Sequence, residues 1–372
     1  MPVNSWATLE GTARYRERMR ERTDENHFRL EQDLWLSSIG TGTYLGDADE
    51  ATDARYVEAL VQAVSMGANL IDTAANYRFQ RSERTIGVAL ERMKETGVAA
   101  RDEVVICTKG GYLPFDGAPP RDVRRYVEEH FVRPGIAELS DFVGGSHCMT
   151  PRYLQSQIDQ SLLNMRLDCI DVYYIHNPES QLAAVSREEF ETRLRAAFEL
   201  LEQNIKGRKI RRYGVATWNG FRASMDARGY HSLERMVALA REAGDRSHGF
   251  RFIQLPFNLA MHEALTSANQ MLEGVRVSLL EAARALGVAV VASASILQGK
   301  VARGLSEEIR EPLGSLATDA QTAIQFVRST PGITTALVGM SRLEHVEENL
   351  QLARLAPTLT EDYQRLFAGP EE

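Results

Sequence analysis

Between Leu36 and Leu350 the chain alternates short β-branched or apolar runs with longer segments of helical period, and no other feature narrows its possible folds so far. The candidate strands are Leu36–Thr43, Asn69–Thr73, Val104–Lys109, Cys169–His176, Arg212–Thr217, Phe252–Phe257, Val288–Ser293 and Ile333–Gly339. The segments between them carry apolar stripes. Val57, Leu60, Val61 and Val64 fall at i, i+3, i+4 and i+7, as do Leu279, Ala282, Ala283 and Leu286, and each set lines one face of a helix. Gly67, Gly97 and Gly287 stand just past a helical segment and just before a strand, where a left-handed helix end costs glycine little. Strands and helices in this order close into a (β/α)8 TIM barrel or open into a doubly wound sheet, and the pattern favours the barrel only slightly. The residues at the strand ends must choose.

Composition bounds the alternatives. With 372 residues, 44% of them hydrophobic and 25% charged, the chain can bury one large core without metals or disulfides, and single α/β barrels routinely exceed about 250 residues. A net charge of -8 argues against a nucleic-acid partner. Cys107, Cys148 and Cys169 show neither disulfide nor zinc spacing, so no metal is expected and a reducing compartment fits. No secretory leader and no run of about 18 apolar residues is present, so no membrane partner is expected and the location is read as cytoplasmic. Residues 1–34 read as an N-terminal helical extension packed outside the barrel, and 35–372 as the barrel domain, ending in a helix near Leu359–Phe367. The segment Gly110–Thr150, after the third strand, is rich in Pro and Gly and reads as a long substrate loop with a short helix near Val123–Phe131.

Three strand ends carry chemistry. Asp72 closes the second strand, Tyr77 follows five residues later, and Lys109 closes the third. Singly, each has an ordinary reading: an Asp after a strand is commonly a turn or helix cap, and a Tyr in a loop is commonly packing. Together they suit carbonyl reduction, which needs a hydride for carbon and a proton for oxygen: a phenol can give the proton, an adjacent ammonium lowers its pKa, and a carboxylate holds that ammonium. In a barrel, strand ends converge on one face.

The run Asp72-Thr-Ala-Ala-Asn-Tyr77, with Lys109 at the next strand end, resembles the aldo-keto reductase superfamily, and the likeness extends over roughly Leu36 to Leu350. The resemblance implies a (β/α)8 barrel that reduces an aldehyde or ketone, or runs the reverse oxidation, with Asp72, Tyr77, Lys109 and His147 as catalytic residues. His147, in the Gly-Ser-His segment, is taken as the carbonyl orienter, and His176, in Tyr-Tyr-Ile-His-Asn-Pro, which resembles a family motif near the cofactor, as structural or as a support behind the residues that touch the ligand. The cofactor-binding residues it implies are Gly42, Thr43 and Tyr44 at the first strand, Asp72, Thr217, Gln254 and Ser293 around the nicotinamide, and Gly339, Ser341, Arg342, Glu348 and Asn349 at the adenosine end. Two departures stand out: Ala216-Thr217 replaces the family's Ser-Asn pair that grips the carboxamide, leaving Thr217 to supply one hydrogen bond, and Ser293 stands where many members stack a Tyr on the nicotinamide. Arg342 and Ser341 suit a 2'-phosphate, which favours NADP(H), with NAD(H) possible. The glycine run Gly40–Gly46 does not have the spacing of a Rossmann loop.

Two other readings remain open. Lys109 can be the Schiff-base lysine of a carbon-carbon lyase, which leaves Tyr77 and Gln254 without a task. Alternatively, the chain is a cofactor-binding regulatory protein with little turnover, which the Ala216 and Ser293 departures would suit. In the reductase reading the partner is a small-molecule carbonyl substrate; neither its identity nor the oligomeric state is readable in the chain.

Overall fold

A computed structural model describes residues 6–367. Its strands are β1 (Phe28–Glu31), β2 (Leu34–Ser37), β3 (Ile39–Gly42), β4 (Leu70–Asp72), β5 (Val105–Gly110), β6 (Ile170–His176), β7 (Ile210–Ala216), β8 (Phe250–Pro256), β9 (Gln270–Leu272), β10 (Val275–Val277), β11 (Ala289–Ser293) and β12 (Thr335–Gly339). Eight of them close into a parallel barrel in the order β11-β12-β3-β4-β5-β6-β7-β8, and helices such as Glu50–Ser65 and Arg187–Lys206 wrap its outside. The expected (β/α)8 barrel is therefore the fold. All eight candidate strands contribute, with ends shifted by at most three residues. Gly67, Gly97 and Gly287 have φ of 110°, 69° and 66°, the left-handed region expected of them.

One candidate strand splits. The run Leu36–Thr43 belongs to two elements: β2 pairs antiparallel with β1 in a hairpin, and β3 enters the barrel. Ser38 is the joint: its N–H donates to the carbonyl of His27 at 2.7 Å, and its own carbonyl accepts from the N–H of Ala336 at 2.9 Å. The hairpin does not pack outside the barrel as expected. It plugs the barrel's N-terminal end, where Leu34 and Leu36 join Ala7 against inward residues of the strands, among them Leu70, Val105, Val172 and Phe252. An open barrel end exposes apolar side chains to water, and a leucine pair that covers them gains about 1.5–3 kcal/mol per side chain. Asp171, fully buried on β6, ties this plug down by accepting from the Ala7 N–H at 2.6 Å and the Ile106 N–H at 2.8 Å while pairing with Arg101 at 2.8 Å. The helix Leu9–Met19 of the N-terminal segment lies outside, with Tyr15 and Met19 buried.

At the other end the strands stop in register: Gly42 is opposite Asp72 and Gly339, Asp72 opposite Cys107, His176 opposite Ala216, and Ala216 opposite Gln254. The loop after β5 contains the expected short helix, Val123–Val127, which continues as one π-helical turn over Glu128–Val132. It packs on its own small core of Leu113, Val127, Phe131, Phe142 and Tyr153. Thr360–Arg365 is the terminal helix. No helix among the described residues is long and apolar enough to cross a membrane.

Candidate active site

Asp72, Lys109 and Tyr77 meet at the C-terminal mouth of the barrel. The Lys109 ammonium, buried on β5, donates to Asp72 Oδ1 at 2.5 Å and to the Thr73 carbonyl at 2.8 Å, and lies 3.5 Å from the Tyr77 hydroxyl and 4.9 Å from the centre of its ring. Gln254, on β8 across the barrel, donates to Asp72 Oδ2 at 2.8 Å, so both carboxylate oxygens are held. Burial works against the Lys109 charge, but Asp72 and Tyr77 outweigh it and raise its pKa. Burial likewise pushes the Asp72 carboxyl up, against the pull of Lys109 and Gln254. The Tyr77 phenol also ends above its ordinary value: burial raises it more than Lys109 lowers it, and Asp72 adds to the rise. Lys109 lowers the phenol, as an adjacent ammonium is expected to, but by less than burial raises it.

The histidine beside Tyr77 is His176, not His147. Its ring lies 5.9 Å from that of Tyr77, edge to face, and its Nδ1 is buried without a hydrogen-bond partner. Burial, Lys109 and His147 all drive its pKa well below the ordinary value, opposed only by Glu179, so the imidazole is neutral. His147 is almost fully buried and presents no free nitrogen: Nε2 lies 2.7 Å from the His176 carbonyl and Nδ1 2.9 Å from the Gln181 amide nitrogen. The signal that separates the two was in the chain. His176 ends a barrel strand, as Asp72 and Lys109 do, whereas His147 lies in a loop with no strand to aim it.

Other expected residues divide. Tyr44 is 57% exposed and its ring packs edge-on against Tyr77 at 4.9 Å. Gly42 leaves open space where a side chain would stand. Thr43, in contrast, is fully buried, and its hydroxyl bonds to Thr73 Oγ1 at 2.9 Å, so it serves the wall rather than a ligand. Thr217 does not offer the hydrogen bond assigned to it: its hydroxyl donates to Glu179 Oε1 at 2.6 Å and accepts from the Gly220 N–H at 2.8 Å. Glu179, which the sequence reading passed over, also accepts from the Trp218 and Asn219 N–H groups, and its pKa is driven down to about 2, because these donors and His231 outweigh the opposing burial. Among nearby aromatics, Phe115 and Phe142 pack in the loop's own core, Tyr112 lies against His176, and Trp218 is 43% exposed at the mouth.

At the ends of the last two barrel strands, Gly339 is exposed on β12 and Ser293 is half-buried on β11. Exposed Arg342 stands at the N-cap of the helix Leu343–Leu350 with no side-chain cap, and Ser341 lies one residue outside it, half-buried. Uncapped N–H groups beside a guanidinium suit a phosphate. Asn349 is buried with an unpartnered Oδ1. Glu348 is less free: it accepts from the Thr318 hydroxyl at 2.7 Å. Among the described residues no group of three or more His, Cys, Asp or Glu side chains is arranged to hold a metal ion.

A family model described as "Aldo/keto reductase family" matches residues 38–368. The NADH-specific methylglyoxal reductase of Escherichia coli is 28% identical over 155 residues, which is 39% of this chain and 39% of that protein, so the match spans well under half of that relative's length. Among solved structures, an aldo-keto reductase from Bacillus halodurans in its holo form superposes with a TM-score of 0.63 at 18% identity, covering 91% of this chain and 95% of that one. An aldo-keto reductase from Klebsiella pneumoniae, in complex with NADP and acetate, gives 0.61 at 20% identity, covering 94% and 97%. At these identities the structural likeness speaks for the fold.

Proposed function

This chain belongs to the aldo/keto reductase family, and on that premise we propose that it is an NADP(H)-dependent oxidoreductase that reduces a small aldehyde or ketone at Tyr77. The observation that carries the reading is the Asp72–Lys109–Tyr77 cluster at the barrel mouth, a buried charge pair set against a phenol that keeps its proton at neutral pH. A buried ion pair of this kind is costly to assemble, and it stands where barrel enzymes do their chemistry.

The residues at the adenosine end fit a nicotinamide dinucleotide. Arg342 and the free helix N-terminus would hold a 2'-phosphate, half-buried Ser341 would add a hydroxyl, and the orphaned Asn349 Oδ1 would accept from the adenine amino group. The opposite end fits less fully, since Ala216 has no polar side-chain atom, the Thr217 hydroxyl is spent on Glu179, and Gln254 gives one of its N–H groups to Asp72, leaving its Oε1 to accept from the carboxamide. A bound reduced nicotinamide supplies the hydride that the carbonyl carbon takes up. The chain's own residues manage the oxygen. The Tyr77 hydroxyl gives its proton to the carbonyl oxygen, and the Lys109 ammonium, anchored by Asp72 and the Thr73 carbonyl, faces the phenolate left behind. His176, neutral and beside Tyr77, is the residue we assign to orient the carbonyl, in place of His147. Exposed Tyr44 and Trp218 give the mouth apolar surface for the rest of the substrate.

The depleted carboxamide grip favours one second reading, a cofactor-binding regulatory protein with little turnover. A Schiff-base lyase finds no support, because a Lys109 ammonium held by Asp72 and a carbonyl, with its pKa raised, has no lone pair to offer. The test is oxidation of NADPH and NADH at saturating carbonyl, with Tyr77→Phe alongside and cofactor binding followed by fluorescence. Turnover that disappears in Tyr77→Phe while binding persists is expected. Tight binding without turnover on any aldehyde or ketone would move the assignment to the regulatory reading.

A further inference from the structure

We propose that His147 is a positioning residue, which sets the His176 imidazole beside Tyr77 through the His176 main chain and the ring of Tyr112. The inference rests on the reading that proton transfer occurs at Tyr77.

A chain of hydrogen bonds whose polarity has one solution carries it. Arg193, paired with Glu189 at 2.7 Å, donates from its guanidinium to Gln181 Oε1 at 2.8 Å. A guanidinium only donates, so the Gln181 oxygen must face it and the amide NH2 must face His147. That NH2 lies 2.9 Å from His147 Nδ1 and 3.1 Å from the His147 carbonyl. Nδ1 is therefore the acceptor, the ring proton is on Nε2, and Nε2 donates to the His176 carbonyl at 2.7 Å. Surface charge on the helix Arg187–Lys206 thus selects the tautomer of a buried imidazole, and that tautomer pins the residue at the end of β6.

The second link is steric. Tyr112 lies edge-on between the two imidazoles, with ring centres 5.0 Å from His147 and 5.1 Å from His176. Its hydroxyl is held by Ser180 at 3.1 Å and Asn177 at 3.3 Å, and its carbonyl by Tyr153 and Gln157. Gly111 makes the approach possible. Its φ is 139°, and a Cβ there would stand 2.9 Å from His147 Nε2 and 3.1 Å from the His176 carbonyl. Displacing reacting groups by about 1 Å costs around a hundredfold in rate, so a change that frees His176 is expected in kcat rather than in cofactor binding.

The test pairs His147→Phe and His147→Gln with nitrogen-detected NMR of the imidazoles in the full chain. In the wild type His147 is expected as the Nε2–H tautomer. In His147→Phe the His176 ring signals should shift and kcat fall by about ten- to a hundredfold with the cofactor KM unchanged. Glutamine can donate to the same carbonyl and accept from the same amide, so His147→Gln should return kcat to within about threefold of wild type. Gln181→Leu, which keeps the ring in place, should leave His147 in mixed tautomers and guards against a His147→Phe that does not fold. An Nδ1–H tautomer in the wild type, or His176 signals unmoved in His147→Phe, would overturn the inference. So would a loss equal to that of Tyr77→Phe with no rescue by Gln, which would place His147 on the substrate itself. If the wild type reduces no carbonyl the reading of function fails separately, and the NMR comparison still decides the placement.

Discussion

The two ends of the barrel hold their buried polar groups differently. At the base the buried carboxylates and His27 are paired, although Arg101 Nε is left without a partner. Asp171 takes two backbone N–H groups and Arg101, Glu103 takes Arg14 and Arg18, and His27 binds the Gly67 carbonyl through Nε2 and Ser38 through Nδ1. At the mouth, His176 Nδ1 and Asn349 Oδ1 are buried without partners, Tyr44 and Trp218 face solvent, and Arg78, Phe79 and Gln80, directly after Tyr77, all have positive φ. Left-handed backbone in consecutive non-glycine residues is held only where the surroundings insist, and here Arg78 is clamped by Asp53 and the Asp47 carbonyl. The base carries stability and the mouth gives some of it up for groups that await a ligand.

Substitutions at the two ends should separate along that line. The largest effect expected is Tyr77→Phe, which should cut kcat by about a thousandfold or more with the melting temperature and cofactor affinity nearly unchanged; a parallel fall in melting temperature would make the mouth structural too. Next, Asp171→Ala should destabilise by about 3–5 kcal/mol, since it strands Arg101 and two buried N–H groups, while the turnover of protein that remains folded is retained; denaturant unfolding and specific activity measure the two halves. A smaller change follows from Arg342→Ala, which should raise the KM for NADPH by about tenfold and leave that for NADH alone; equal losses with both cofactors would remove the 2'-phosphate from its assignment.

Acid should act on the base. Burial, together with the nearby Arg328 charge, lowers His27 to about 3, against an ordinary value of 6.5. Its folded pKa lies below its unfolded one, so the unfolded chain binds more protons between those values. Its contribution to stability is full above about pH 6.5 and is lost as pH falls towards 3. His27→Gln should flatten this part of the stability profile, and a profile unchanged by the substitution would exclude His27 as a source of acid sensitivity. The smallest effect belongs to Gln298→Gly at the mouth: with φ at 54° on an exposed loop, glycine should add less than about 1 kcal/mol to stability.

Much of this was legible in the chain. All eight barrel strands announced themselves by apolar runs, the three capping glycines by their place after helical stripes, and the Asp72–Lys109 pair by standing at consecutive strand ends. These are local signals, and barrel geometry brings strand ends together whatever the details. The failures were of another kind. Leu36 and Ile39 look alike in sequence, yet one plugs the base and the other lines a barrel wall, because Ser38 turns the chain between two pairing partners hundreds of residues apart. Thr217 reads as a free hydroxyl until Glu179, 38 residues earlier, is seen to take it. His147 reads as a site residue until both its nitrogens are found engaged.

By itself, then, the sequence determined the architecture and the types of group at the reacting corner, since hydrophobic period and strand-end placement are properties of neighbouring residues. Which hydroxyls remain free and how far burial outweighs Lys109 at the phenol were decided only by the tertiary structure. Hydrogen-bond capacity is finite and desolvation depends on every atom nearby, so both are settled by residues far apart in the chain.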